Sequence, residues 1–153
     1  MKGKTIMANN EITQKIFNYL QSHNVLTLAT VSPDGKPLAH TVVYVSEGAT
    51  VYFGTYKDTR KAQNILKNPS VAYTVDEDYA DWDKIQGVQM TGMAAMLTDQ
   101  KELERIMKKY VEKFPQAADF PPDPDMVLIK IESLRGYFLD YTKGFGHRDE
   151  VVF

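Results

Sequence analysis

Closely spaced turn signals divide the first part of the chain into short strands that must pair with their neighbours. Residues 25–32 alternate and are rich in β-formers, and a Pro-Asp-Gly turn follows at 33–35, where the glycine supplies a positive φ. A return strand is predicted over 37–45, a Glu-Gly turn at 47–48 and a third strand over 50–55. This pattern predicts an antiparallel meander.

Helical periodicity marks three segments. An apolar residue recurs every fourth position over 12–20, with Asn10 as the predicted N-cap. A short helix is predicted over 59–67, and the longest helix begins at a capping-box-like pair, Asp99 and Glu102.

The remaining segments predict further strands, over 71–75, 85–97, 126–131 and 137–141. Gly87 and Gly92 interrupt the longest of them, which indicates bulges or sharp curvature. Six or seven antiparallel strands with flanking helices give an α+β class. The curving glycines favour a barrel over an open sheet.

Composition restricts the function classes open to this chain. Its 153 residues, 43% of them hydrophobic, suit one compact domain over 1–153, in which we expect 1–9 to be a frayed leader. The absence of cysteine excludes thiol catalysis and disulfides, and three scattered histidines do not predict a metal site. A net charge of -2 argues against nucleic acid, and no apolar run approaches the roughly 20 residues of a membrane span. We expect a cytoplasmic protein.

The polar run 55–61, Thr-Tyr-Lys-Asp-Thr-Arg-Lys, joins the third predicted strand to the short helix. Arg60 and Lys61 then lie at the positive end of the helix dipole, where cations are unfavourable unless an anion binds there. With free backbone N–H groups and threonine hydroxyls, they could form a phosphate cradle. In the alternative, Asp58 caps the helix and both cations are merely solvated. Charge alone leaves the two interpretations equal.

Three stretches resemble one family, and they occur in its order along the chain. The string VYFGTYKDTRKAQNILKNPSVAYTV resembles the flavin-phosphate segment of the pyridoxamine 5'-phosphate oxidase-like, flavin-reductase-like split β-barrels. VLTLATVSPDGKPLAHTVVYV resembles the first hairpin of that family, and VQMTGMAAMLTDQKELERI its glycine-bearing fifth strand and following helix. The resemblance covers residues 25–114 and is weak beyond them.

The resemblance implies a homodimer that binds flavin mononucleotide (FMN) at its subunit interface. Thr55, Arg60 and Lys61 would hold the phosphate, with Lys57 and Thr59 beside them. The strand at 40–44 would run under the flavin ring, its backbone bonding the polar edge of the ring. The residues concerned are His40, Thr41, Val42 and Val43.

Two parts of the chain depart from the family. Members often place glutamine at the start of the fifth strand, but Gly87 takes that position here, so either Gln86 substitutes through a bulge or the contact is missing. The oxidases proper use a C-terminal Trp and Arg, and the tail 142–153 has Arg148 without a tryptophan, which argues against pyridoxamine phosphate oxidation. His147 and Arg148, and Trp82 in the acidic loop, are candidates for contacting the partner's flavin or a substrate.

The function these features imply is an FMN-dependent oxidoreductase that passes electrons from NAD(P)H to an acceptor. No side chain stands out as a catalytic acid, base or nucleophile. The alternatives are the same fold with a deazaflavin coenzyme or haem, or a flavin-binding module without turnover.

Overall fold

The chain folds into three α-helices and eight strands over the described residues. A computed structural model describes the backbone of residues 2–153 and the side chains of residues 9–153. In chain order the elements are α1 (Lys2–Ser22), β1 (Val25–Val31), β2 (Pro37–Val43), β3 (Val45–Glu47), β4 (Thr50–Tyr56), α2 (Arg60–Lys67), β5 (Ser70–Asp76), β6 (Gln86–Met96), α3 (Gln100–Lys113), β7 (Met126–Asp140) and β8 (Arg148–Val152).

All strand pairs are antiparallel and belong to one curled sheet, in the order β2-β1-β5-β6-β7-β4-β3. The strand β8 pairs with the second half of β7, beside β4 on the same edge. The α+β split-barrel class predicted from the sequence is thereby confirmed.

The concave side of the sheet holds the main apolar core. Alternate residues of each strand point inward, as Leu26 and Leu28 of β1 do, and α1 covers them with Ile16 and Leu20. A smaller cluster lies under α3, where Ile106 and other apolar side chains pack on the outside of β3 and β4.

The ladder between β6 and β7 has a bulge in β7 opposite Gly92 and is regular at Gly87. Thr91 pairs with Arg135 while Gly92 pairs with Ser133, so Leu134 is the extra residue. A Cβ on Gly92 would overlap the carbonyl oxygen of Glu132, so this close approach requires glycine.

Several predicted boundaries were wrong. The bulge lets the two strands predicted over 126–131 and 137–141 continue as one, β7, and the tail adds β8 by pairing with it. The strand predicted over 37–45 divides at Tyr44 into β2 and β3.

Of the two predicted helix starts, the first was wrong, and the second is right in position but lacks the capping hydrogen bonds. The first helix begins at Lys2, so Asn10 lies inside it and cannot cap it. Asp99 is the N-cap of α3, as predicted, but its side chain makes no cap hydrogen bond. The Glu102 carboxylate accepts hydrogen bonds from Lys130 at 2.9–3.0 Å instead of closing a capping box. The side chains of residues 1–8, most of the expected frayed leader, lie outside the described residues.

Within the described part of the chain, no helix combines the length and apolar character needed to cross a membrane.

Candidate functional site

Thr59 is the N-cap of α2, so the alternative prediction that Asp58 caps this helix was wrong. The Thr59 hydroxyl accepts a hydrogen bond from the backbone N–H of Ala62 at 3.4 Å and donates one to the carbonyl of Tyr56 at 2.8 Å. Its oxygen also lies 3.0 Å from the Oγ1 of Thr55, the buried residue near the end of β4. The cap therefore fixes two threonine hydroxyls side by side at the helix start.

Arg60 and Lys61 occupy the first turn of α2, where Arg60 is exposed and Lys61 is half-buried. Among the described side chains, neither has a carboxylate within 4.0 Å. The first turn of α2 also has no acidic residue. Two uncompensated cations thus lie where the helix dipole is already positive.

The backbone around Lys57 is held from both sides. Its N–H donates to the carbonyl of Asp125 at 2.9 Å, and its own carbonyl accepts from the side chain of Gln63 at 2.7 Å. These bonds fix the turn between β4 and α2, and leave the Lys57 side chain exposed beside the helix start.

His40 belongs to the same region of the molecule. Its Nε2 lies 3.3 Å from the Oγ1 of the fully buried Thr30, which also accepts a hydrogen bond from Asn64 of α2 at 3.0 Å. Burial lowers the pKa of His40 below its usual value, and the charges of Lys61 and Arg60 lower it further. The histidine is therefore close enough to α2 to sense both cations.

The rest of the predicted flavin strand forms an edge of the sheet. β2 pairs with β1 on one side only, so backbone groups on its other side are not part of a ladder. Val42 points into the core, while Thr41 and Val43 are exposed on the convex face. The carbonyl of Val43 accepts a hydrogen bond from the hydroxyl of Tyr110 at 3.0 Å.

Gln86 and Gly87 lie apart from the predicted flavin strand and from α2 within the chain. They begin β6, which is three strands from β2 and therefore roughly 14 Å away along the sheet at about 4.8 Å per strand. Gly87 pairs with Asp76, at the end of β5 farther from α2. Gln86 does not take the place of a residue at 87, because no bulge occurs there and its side chain donates to Asp140 at 3.3 Å. Burial alone would raise the pKa of Asp140, but hydrogen bonds from Thr142 and Gln86 hold it below its usual value.

The three remaining candidates, Trp82, His147 and Arg148, contact residues near them in the structure. Trp82 is exposed, with its ring centroid 6.1 Å from that of Phe145. His147 pairs with Asp149 at 3.0 Å. The guanidinium of Arg148 lies 4.4 Å from the centre of the Tyr137 ring.

The chain therefore brings together Thr55, Thr59, Arg60, Lys61 and His40 at the start of α2, with Lys57 beside them. Sequence reasoning missed Thr30, Asn64 and Tyr110. The signal for Asn64 was its position next to Ile65 on the apolar side of a short helix, where a polar residue needs a buried partner. Thr30 and Tyr110 gave no such signal.

The curled sheet and the helix that follows β4 define a split β-barrel protein with a basic helix start. The chain belongs to the pyridoxamine 5'-phosphate oxidase family, whose sequence profile matches residues 12–140. It is 30% identical over 126 residues to general stress protein 26 of Bacillus subtilis (strain 168), a match that covers 82% of this chain and 86% of the relative.

Solved structures show the same fold. A Listeria innocua protein provisionally named a pyridoxamine 5'-phosphate oxidase superposes with a TM-score of 0.70 at 25% identity, over 84% of this chain and 98% of its own. HutZ, the heme storage protein of Vibrio cholerae, superposes with a TM-score of 0.68 at 20% identity, over 80% of this chain and 89% of its own. At that identity the second likeness concerns the fold alone.

Proposed function

We propose that this protein binds FMN, with the phosphate at the start of α2. The observation that carries the proposal is the pair Arg60 and Lys61, two cations without carboxylate partners in the first turn of a helix. A phosphate monoester carries close to two negative charges at neutral pH, so it matches both the cations and the helix dipole.

The neighbouring groups suit a phosphate as well as the cations do. The first N–H groups of a helix have no partners within the helix, and here only that of Ala62 is bonded to the cap. The N–H groups of Arg60 and Lys61 are the donors we assign to the phosphate oxygens. The Thr55 hydroxyl can join them only by turning its proton away from Thr59. Lys57 and His40 border the same space and can add positive charge.

The free edge of β2 suits the polar edge of the flavin ring. The backbone groups of Thr41 and the N–H of Val43 are the ones we assign to it, because the backbone groups of His40 and Val42 face β1 and Tyr110 already bonds the carbonyl of Val43. Gly87 and the tail would contribute only from a second protomer, since they lie several strands away in the same chain. We therefore propose a homodimer with flavin between its subunits.

Bound FMN would accept hydride and pass electrons onward, while the protein binds and orients it. We propose an oxidoreductase that takes electrons from NAD(P)H in the cytoplasm. The residues at the start of α2 bind and position the cofactor in this scheme, and no side chain is assigned as an acid or base.

An absorption spectrum of the purified protein tests the cofactor directly. We expect flavin bands and, after denaturation, the fluorescence of FMN. A Soret band would instead identify haem, and a deazaflavin would be distinguished by its own spectrum and mass. Either of those results would contradict the proposal.

The double substitution Arg60→Ala and Lys61→Ala tests the binding site. We expect it to raise the Kd for FMN by roughly a hundredfold or more, because hydrogen bonds to charged groups contribute about 1.5–3 kcal/mol each. The matched control is Lys101→Ala with Lys108→Ala, which removes the same charge from exposed positions on α3. Equal affinity for FMN in the two double variants would contradict the assignment of the phosphate to Arg60 and Lys61.

Turnover is tested separately by mixing the flavin-loaded protein with NADH or NADPH. We expect rapid bleaching of the flavin and its reoxidation by an added acceptor. If the flavin stays oxidised, the protein is a flavin-binding module without turnover and the oxidoreductase proposal is wrong.

A further inference from the structure

The hydroxyl of Thr30 connects a strand, its neighbour and a helix at one point. Thr30 lies on β1 and is fully buried. Its Oγ1 accepts a hydrogen bond from the Nδ2 of Asn64 at 3.0 Å and lies 3.3 Å from the Nε2 of His40. Asn64 is 6% exposed on α2, whereas His40 is half-buried on the edge strand β2. The three side chains therefore form a short chain from the interior to the edge of the sheet.

The number of donors and acceptors in this chain determines which ring nitrogen of His40 carries the proton. A hydroxyl donates one hydrogen bond and can accept two. Asn64 uses one acceptor position of Thr30, and His40 is the only other partner of this hydroxyl among the described residues. If Nε2 carried the proton, the Thr30 proton would be buried without an acceptor, which is unfavourable. Nε2 is therefore the acceptor, and the proton of the neutral ring is on Nδ1.

The surroundings of His40 keep its ring neutral. Burial lowers the pKa of His40 below its usual value, and the charges of Lys61 and Arg60 lower it further. Within the described part of the chain, no carboxylate lies within 4.0 Å of the ring to favour its charged form. The partners on the neighbouring elements, Thr30 and Asn64, are uncharged.

The Nδ1 of His40 is the ring nitrogen left for a ligand. It has no hydrogen-bond partner among the described side chains and backbone groups. The cations that act on the ring, Lys61 and Arg60, are those of the first turn of α2. An N–H group on this ring can bond an oxygen of an anion without adding a further positive charge to theirs.

We propose that Thr30 and Asn64 are positioning residues, which hold His40 as the neutral tautomer with its proton on Nδ1, and that this N–H donates to the phosphate at the start of α2. The first half concerns the protein without a ligand. The second half rests on the proposed function.

Nitrogen NMR of the His40 ring in flavin-free protein, at about pH 8 where the ring is neutral, is the first test. We expect a protonated Nδ1 and an unprotonated Nε2. Thr30→Val should abolish this preference and leave a mixture of tautomers, and Thr30→Ser, which keeps the hydroxyl, should retain it. A proton on Nε2 in the wild type would overturn the inference and leave the FMN proposal standing.

Thr50→Val is the matched control for Thr30→Val. Thr50 is half-buried at the start of β4, and its hydroxyl has no hydrogen bond among the described residues. Its substitution should leave the tautomer of His40 unchanged. A tautomer that changes equally in both valine variants would show that the Thr30 hydroxyl is not the cause, and would overturn the inference.

Asn64→Asp reverses the hydrogen bonds of the chain with almost no change in shape. A carboxylate only accepts, so Thr30 would donate to it and be left to accept from His40. The Nε2 of His40 should then carry a proton at the same pH, a change that a purely structural role of Asn64 would not produce. An unprotonated Nε2 in Asn64→Asp would mean that Asn64 does not act on His40, and would overturn its assignment as a positioning residue.

Titration with FMN, followed through the Nδ1–H signal of His40, tests the second half. FMN and inorganic phosphate should both shift this signal, at an ionic strength held constant with chloride. The affinity for FMN should fall about tenfold in Thr30→Val and be recovered in Thr30→Ser. Saturation with FMN that leaves the Nδ1–H signal unchanged would overturn the assignment of His40 as a donor. Failure of FMN to bind at all would instead overturn the proposed function, and the second half with it.

Discussion

The Nε2 of His40 lies 3.3 Å from the Oγ1 of Thr30, and the same oxygen accepts a hydrogen bond from Asn64. Because Asn64 is the donor in its bond, the Thr30 hydroxyl is free to donate to Nε2 of a neutral imidazole. A chain of side chains thus connects β2, β1 and α2 next to the proposed phosphate site.

Removing the cations of α2 should raise the pKa of His40. Burial is the largest cause of its lowered pKa, and Lys61 and Arg60 add to it, so Lys61→Met with Arg60→Met should move the value only part of the way back. The titration of the His40 ring signals by NMR measures this in protein without flavin. An unchanged pKa would mean that the cations do not face the histidine.

FMN should also raise the pKa of His40, because its phosphate adds negative charge where the substitutions remove positive charge. A dianion beside His40 favours its charged form, so binding takes up a proton in the pH range between the lowered and the raised pKa. The affinity for FMN should therefore increase as the pH falls through that range, and the increase should be smaller in His40→Asn. Isothermal titration in buffers of different ionisation enthalpy measures the proton uptake.

Much of this site was predictable from the sequence because its signals are local. The strand, the polar turn and the short helix at 50–67 follow from adjacent residues; α2 ends at the predicted Lys67 and begins one residue after the predicted Thr59, which is its N-cap. The choice between Thr59 and Asp58 as the cap was not predictable, since both residue types cap helices well. Only the backbone geometry decides which side chain accepts from Ala62.

Contacts between distant segments were the part that the sequence did not reveal. Leu134 is the extra residue of a bulge that depends on the pairing of β6 with β7, so nothing around 134 marks it. The tail likewise forms β8 only because β7 extends beyond β4 and leaves an edge to pair with. Gln86 was weighed as a flavin contact, yet its partner Asp140 is 54 residues away.

Thr59→Ala should destabilise the protein by about 1 kcal/mol, since an N-cap hydroxyl contributes about 0.5–2 kcal/mol. The hydroxyl bonds both Ala62 and Tyr56 and lies beside Thr55, so its loss should also weaken FMN binding. Chemical denaturation measures the first effect, with Thr59→Ser as the control that keeps the hydroxyl. Equal unfolding free energies for Ala and Ser at this position would show that the cap contributes nothing.

Tyr110→Phe should lower the free energy of unfolding by about 1–3 kcal/mol. The Tyr110 hydroxyl accepts from the N–H of Gly54 at 3.2 Å and lies 3.0 Å from the carbonyl of Val43, so it bridges β4 and the end of β2. Its removal leaves part-buried backbone groups unpaired. The exposed Tyr56→Phe is the control and should have almost no effect. A similar loss in both variants would show that the bridge is not the cause.

Gly92→Ala should destabilise the fold by about 1–3 kcal/mol, because the added Cβ would overlap the carbonyl of Glu132 and push β6 and β7 apart. At Gly54 an added Cβ would meet Met126 at an ordinary 3.5 Å, so Gly54→Ala should be neutral or slightly stabilising. Thermal and chemical denaturation compare the two. Equal stability would mean that the bulge tolerates a side chain.

Ala29→Lys should separate the proposed dimer into monomers. Small and uncharged side chains around Ala29, among them Thr27, Ala72 and Thr74, line a groove of about 350 Å³ on the convex face of the sheet. In a two-fold dimer built on this face the lysine would enter the interface twice, and burying two unpaired cations is strongly unfavourable.

Light scattering should show the mass of Ala29→Lys at half that of the wild type, with a native circular dichroism spectrum. Flavin occupancy should fall with it, because the site would lose whatever the second protomer contributes. Ala118→Lys, at an exposed position in the turn Pro115–Asp119, is the control and should keep both mass and flavin. A dimer that survives Ala29→Lys with its flavin would exclude the convex face as the interface, while a flavin-loaded monomer would show that one chain holds the complete site.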